Sequence, residues 1–230
     1  MAMTRLDSDE RRKAIVAAAV PLFARKGFAG TTTKELAEAA GISEALLFRH
    51  FPSKKHLYEE ILRLGCEGHP ALECLAALAP STASLVQMIH FMVRYFLLGE
   101  GADRIELDTR LRLILHSLLE DGEYARELFD RIFELIHPLF AASVEAAVAA
   151  GDLTPDVIDT ANRFWFGHHV AAMVAFVFLP GRATIAYEGT PAALVEEASR
   201  FVLRGIGLKD AAIAPALVAC AKSPLEFAPG

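Results

Sequence analysis

An all-α fold is predicted by three observations. Ala, Leu, Glu, Arg and Phe dominate the chain; apolar residues recur three and four positions apart over long stretches; and nowhere do four or more residues alternate apolar and polar between turn signals, as a half-buried strand would. The organisation expected is a small N-terminal domain of three helices over residues 1–52, a larger helical domain over 53–207 and a C-terminal tail over 208–230.

Each element has a local reason. Ser8 is a good N-cap, Asp9 and Glu10 suit the positive end of the helix dipole, and Ile15, Ala18, Ala19, Leu22 and Phe23 form one apolar face. This first helix is expected to stop at Gly27 and to bend at Pro21, whose nitrogen carries no hydrogen. Thr32 and Glu35 make a capping box, in which each side chain satisfies a free amide at a helix start. A short helix therefore begins there, with Leu36, Ala37 and Ala40 as its stripe and Gly41 as its terminating turn. Ser43 caps the next helix, backed by Leu47 and Phe51 four apart. Ser53 caps a fourth, carrying Leu57, Ile61, Leu62 and Leu64, which ends near Gly65, Gly68 and Pro70. Longer helices are expected over about 81–98, 105–120, 123–150, 155–179 and 191–204, with a second bend at Pro138. The tail, with Pro215, Pro224 and Pro229, is apolar but poorly patterned.

Composition narrows the class. With 230 residues, 53% apolar and 23% charged, the chain has both a core and a solvated skin, which excludes disorder and fibrous folds. Its longest uninterrupted apolar run, Val170 to Leu179, falls short of the roughly 20 residues a membrane-spanning helix needs. No signal core follows the N-terminus, so the expected address is the cytoplasm. Cys66, Cys74 and Cys220 are odd in number and lack a metal-ligand spacing. Net charge is -6, but residues 1–63 hold 11 basic against 8 acidic side chains and the rest 12 against 21. A basic head on an acidic body suggests two jobs in one polypeptide.

The functional signal lies between Thr32 and Phe51, where two short helices flank a Gly41-Ile42 turn. That is the helix-turn-helix plan, whose second helix enters the DNA major groove. Leu47 and Phe51 face the core, leaving Glu44, Ala45, Leu46, Phe48, Arg49 and His50 outward. Exposed Leu46 and Phe48 suit thymine methyls and sugar edges. Thr31, Thr32, Thr33, Lys34, Ser43, Lys54 and Lys55 supply hydroxyls and cations for phosphates.

The run Thr31-Thr32-Thr33-Lys34-Glu35-Leu36-Ala37-Glu38-Ala39-Ala40-Gly41-Ile42-Ser43-Glu44-Ala45-Leu46-Leu47-Phe48-Arg49-His50-Phe51-Pro52-Ser53-Lys54 resembles the DNA-binding module of TetR-type transcriptional repressors. Ala45, Leu46 and Phe48 depart from the glycine, threonine and tyrosine usual there. The resemblance covers roughly the first 64 residues. It implies a cytoplasmic homodimer that reads a palindromic operator on double-stranded DNA, through Thr31, Thr32, Thr33, Ser43, Glu44, Ala45, Leu46, Phe48, Arg49, His50 and Lys54. It also implies a helical body holding a small-molecule effector that releases the DNA.

The body's aromatic stripes and inward polar groups suit a pocket for a largely apolar ligand, with Phe91, Tyr95, Arg112, His116, Phe133, Trp165, His169 and Met173 as candidates. The stretch 155–179 is apolar almost all round and must be covered on more than one side. Ala161, Gly167, Ala171 and Ala175, with Leu194, Ala198 and Phe201 of the next helix, are the candidate dimer interface. The expected joint between head and body is the stretch from Gly65 to Pro70. His168 and His169 point about 100° apart on a helix and cannot share a metal as an i, i+4 pair could. No nucleophile motif or P-loop is present, so no metal, cofactor or catalysis is expected. The competing reading is a helical small-molecule carrier or scaffold whose head binds protein. An activator, or a constitutive DNA-binding protein with a vestigial body, is a third.

Overall fold

The computed structural model describes residues 8–65, 70–99, 104–155, 157–180 and 182–222. Eleven helices run through them: α1 (Ser8–Gly30), α2 (Thr33–Ala39), α3 (Glu44–His50), α4 (Lys54–Gly65), α5 (Pro70–Ala76), α6 (Thr82–Leu98), α7 (Arg104–Leu119), α8 (Glu123–Ala149), α9 (Thr160–Phe176), α10 (Pro191–Gly205) and α11 (Asp210–Lys222). No strand is present among the described residues; one antiparallel bridge joins Leu153 to Leu208. The chain divides into two compact units, Met1–Glu67 with Asp108–Phe129, and Gly68–Leu107 with Asp130–Gly230.

The first unit is built on the α1 stripe. Ile15, Ala19 and Phe23, four apart, are buried, as are Leu36, Leu47, Phe51 and Leu57 from the next three helices. Phe23, Phe28 and Tyr58 gather with ring centroids 5.0 to 6.3 Å apart. Burial, reinforced by the Glu120 and Asp121 carboxylates, pushes the Tyr58 phenol up to about 12, so it stays protonated. The non-helical backbone of α1 lies at Gly27 (φ +68°, ψ 179°), whereas the expected site of distortion, Pro21, is exposed within the helix. A Cβ on Gly27 would stand 2.7 Å from Glu120 Oε1 and 3.0 Å from His116 Nδ1. Glycine is favoured there by the backbone angle, and a side chain would in addition displace the end of Glu120.

The second unit is organised on α6, against which α9, α10 and α11 pack. Leu85, Val86, Ile89, Phe91, Val93 and Phe96 of α6 are buried with Ala171 and Ala175 of α9, Val195, Val202 and Leu203 of α10, and Ile213 and Leu217 of α11. His90 Nδ1 and the fully buried Ser199 Oγ share a hydrogen bond of 3.0 Å between α6 and α10. Buried Arg163 donates to the Ile206 carbonyl at the end of α10, fixing the turn that leads to α11.

Three boundaries differ from the sequence expectation. The helix expected from residue 155 starts at Thr160, because Asp159 accepts hydrogen bonds from the Ala161 and Asn162 amides. The segment expected to be a tail from 208 contains α11, and the boundary expected at residue 52 falls inside the first compact unit. The helix α8 is long and apolar enough by length and composition to cross a membrane. Its buried Ile136, Leu139, Phe140, Val144 and Ala147 recur at helical spacing, which accounts for the apolar content as a core stripe. Residues 66–69 of the expected joint lie outside the described residues.

Candidate nucleic-acid interface

The geometry of the helix-turn-helix is set by local hydrogen bonds. Thr32 Oγ1 accepts from the Glu35 amide at 3.3 Å, and the Thr32 amide donates back to Glu35 Oε2 at 3.0 Å, so the capping box is complete. Lys26 pairs with the same carboxylate and, with the Thr32 donors, holds it down to about 2. Gly41, at φ +64°, turns the chain, and the Ile42 amide returns to the Ala37 carbonyl at 3.0 Å. Ser43 Oγ then accepts from the Leu46 amide at 3.2 Å and starts α3.

The far end of α3 is held by Arg12, whose role is not visible in the local sequence. Its guanidinium donates to the His50 carbonyl at 2.7 Å, pairs with Glu60 at 3.3 Å and lies 4.2 Å over the Phe51 ring. One cation thus ties α1, α3 and α4, complementing the negative end of the α3 dipole.

With Leu47 and Phe51 inward, Glu44, Ala45, Phe48 and Arg49 are exposed, and Leu46 and His50 are half-buried. Phe48 is 44% exposed, a large ring in water with no polar handle. Thr32 and Ser43 are exposed but spend oxygen acceptors on their caps; Thr33 is half-buried and donates to Glu44 at 2.7 Å. Two assignments need correction. Thr31 is 1% exposed, and its hydroxyl donates to the Gly27 carbonyl at 2.8 Å, so it is part of the α1–α2 turn. Lys54 donates to the carbonyls of Phe28 and Thr31 at 2.7 and 2.8 Å and lies over the Phe28 ring, so its ammonium braces that turn.

The other expected sets are divided differently. Arg112 and His116 belong to the first unit, and His116 stands against Gly27. Phe91, Tyr95, Phe133, Trp165, His169 and Met173 belong to the second. Phe133 and Trp165 stack at 5.7 Å, Trp165 and His169 at 5.8 Å, and Phe91 meets Tyr95 at 6.2 Å, but Met173 is 58% exposed and points away from a core. His137, outside the expected pocket set, stacks on Phe133 at 4.1 Å with its Nε2 buried and lacking a hydrogen bond. Its pKa is lowered by burial.

On α9, Gly167, Ala171 and Ala175 are buried within the subunit; a Cβ on Gly167 would meet Val202 of α10 at 3.3 Å. That removes them from an intersubunit surface. Ala161, Leu194 and Ala198 are half-buried. The opposite flank of α9 exposes Phe166, Val170 and Met173, and α10 exposes Phe201. Among the described residues no group of three His, Cys, Asp or Glu side chains could hold a metal ion.

Fold and site define a helix-turn-helix protein with a larger helical domain. Residues 15–61 match the model of the bacterial regulatory proteins of the tetR family. The similarity to TetR-type regulators lies in this module. It is 50% identical over 50 residues to the uncharacterized HTH-type transcriptional regulator YvkB of Bacillus subtilis, covering 22% of this chain and 26% of that protein. It is 45% identical over 53 residues to the HTH-type transcriptional regulator RutR of Escherichia coli, covering 23% and 25%. The aligned chain thus spans about a quarter of the length of these relatives. A tetR-family regulatory protein from Rhodococcus RHA1 has the same fold over 87% of this chain and 99% of its own, with TM-score 0.64 and 20% identity.

Proposed function

We propose that the protein is a sequence-specific DNA-binding transcriptional repressor, released from a palindromic operator when a small, largely apolar ligand binds its second unit. The observation that carries this reading is the outer flank of α3. Glu44, Ala45, Phe48 and Arg49 are exposed on a rod anchored by Leu47 and Phe51 and braced at both ends by Ser43 and Arg12. A helix so held enters a major groove without first being ordered, and so loses little entropy on docking.

Each exposed side chain has a role that base-pair chemistry supports. Phe48 and Ala45 cover thymine methyls and sugar edges, and Arg49 donates to base edges or phosphate. Thr33, Ser43, Leu46 and His50 flank them. Pairing of two chains through the apolar flank of α9 and α10, with Phe166, Val170, Met173 and Phe201 at its centre, doubles the contact with DNA. Two recognition helices about 34 to 36 Å apart match half-sites one DNA turn apart.

The ring cluster of Phe133, His137, Phe164, Trp165 and His169 supports a ligand that is itself apolar or aromatic. Switching the population from nearly all DNA-competent to nearly all released requires the ligand to prefer the second state by about 5.5 kcal/mol. The protein acts in the cytoplasm and needs no catalytic group.

The test is a gel shift of the full chain against duplexes from the intergenic region beside its own gene. A palindrome bound in preference to random DNA, and released by an added apolar metabolite, is expected. Equal affinity for every duplex would favour a carrier or scaffold instead.

A further inference from the structure

We infer that Glu44 is the specificity-determining acceptor of the recognition helix, that it selects cytosine in each half-site, and that Thr33 is the residue that positions it. The inference rests on the DNA-binding reading and deepens it.

Five carboxylates lie between Thr31 and Gly65: Glu35, Glu38, Glu44, Glu59 and Glu60. Four are neutralised by cations. Lys26 pairs with Glu35, Lys34 with Glu38 at 4.0 Å, Lys55 with Glu59 at 3.7 Å, and Glu60 holds Arg12 and Arg63 at 3.3 and 3.1 Å. Among the described residues no cation joins Glu44. Its bond is from the Thr33 hydroxyl on α2, donated to Oε2 at 2.7 Å. The one uncompensated carboxylate of this stretch therefore stands exposed on the same flank as Ala45 and Phe48.

A carboxylate carried into a groove lined by phosphates is repelled unless a base offers it a proton donor. Guanine presents only acceptors at its major-groove edge, and thymine an acceptor and a methyl group. Adenine has an amino group, but its N7 acceptor lies beside it. Cytosine offers the N4 amino group and carries no acceptor of its own at the major-groove edge. Glu44 thus discriminates by repulsion against three bases and by one charge-assisted hydrogen bond to the fourth. Thr33 occupies one carboxylate oxygen and limits the rotation of the side chain, so the bond acts at one position of the half-site instead of sweeping over several.

The experiment is selection of bound duplexes from a random library by the full chain and by Glu44→Gln, Glu44→Ala and Thr33→Val, with sequencing of each bound pool. The wild type is expected to enrich cytosine at one position per half-site by roughly fivefold or more over each other base. Glu44→Gln should move that position toward adenine, whose N6 and N7 suit an amide. Glu44→Ala should lose the preference there and keep the remainder of the motif. Thr33→Val, with its unfolding midpoint monitored, should weaken the preference at that position alone. Identical motifs from wild type and both Glu44 variants would overturn the inference while leaving DNA binding intact. A wild-type pool with no motif would overturn the DNA-binding reading, and this inference with it.

Discussion

Two residues show how single side chains set the stability of the molecule. Gly27 combines φ +68° and ψ 179°, a region essentially reserved for glycine, with a close approach by Glu120 and His116. Gly27→Ala should cost about 1–3 kcal/mol in urea unfolding; an unchanged midpoint would show that the turn relaxes freely. His168 is buried with Phe96 and Trp165 edge-on, and burial lowers its pKa from 6.5 to about 4. An unfolded chain takes up a proton near pH 6.5 that the folded chain refuses until about pH 4. Stability is therefore full above pH 6.5 and falls as pH drops from there toward 4, by up to about 1.4 kcal/mol per pH unit. Glu35, held near 2, loses its contribution only below about pH 4.5, outside most of that window. Urea titrations at pH 7 and pH 5 should differ for the wild type and differ less for His168→Phe. Equal pH dependence in both would remove His168 as the cause.

Between elements, the informative contacts are those that cross from one helix to another. Lys54 joins α4 to the turn after α1 through two carbonyls, so Lys54→Ala should lower stability by about 1–3 kcal/mol. Calorimetry of the variant without DNA checks this; a lost affinity for all duplexes at unchanged melting temperature would instead return Lys54 to phosphate contact. On the other unit, Phe201 is 67% exposed and Met173 58%. Phe201→Glu with Met173→Glu should give a sedimentation mass of one chain, 25.0 kDa, where the wild type gives two. An unchanged wild-type-like mass for the variant would place the interface elsewhere. The capping box and the α3 core pair were readable from the chain because they are contacts within four residues. Lys54 and Arg12 were not, since only the fold brings the Phe28 and Thr31 carbonyls to Lys54 and the His50 carbonyl to Arg12; Thr31 lies four residues from Gly27, but its hydroxyl reads equally as a surface group until the turn buries it. On α9 nearly every position is apolar, so periodicity could not tell its inner from its outer face. The small residues went inward, where a Cβ on Gly167 would press on Val202 at 3.3 Å. The last helix, α11, escaped notice because Pro215 interrupts its pattern; the proline is exposed, and Ile213 and Leu217 carry the packing.

For the whole molecule, the uneven charge along the chain matters. The segment before residue 64 is net basic while the protein carries -6 overall, so on the proposed DNA-binding reading general attraction to DNA would be weak and recognition would rest on α3 contacts. The class of fold was legible because capping, punctuation and periodicity agree; the division into two units was not, since Asp108–Phe129 joins the N-terminal helices from far along the chain. Replacing Phe48 with a photo-crosslinking phenylalanine analogue and irradiating the full chain on its selected duplex reports where the outer side of α3 goes. Covalent attachment to DNA, with two chains captured per palindrome, is the expected result. Attachment to another protein surface, with the duplex untouched, would show that this rod does not serve DNA at all.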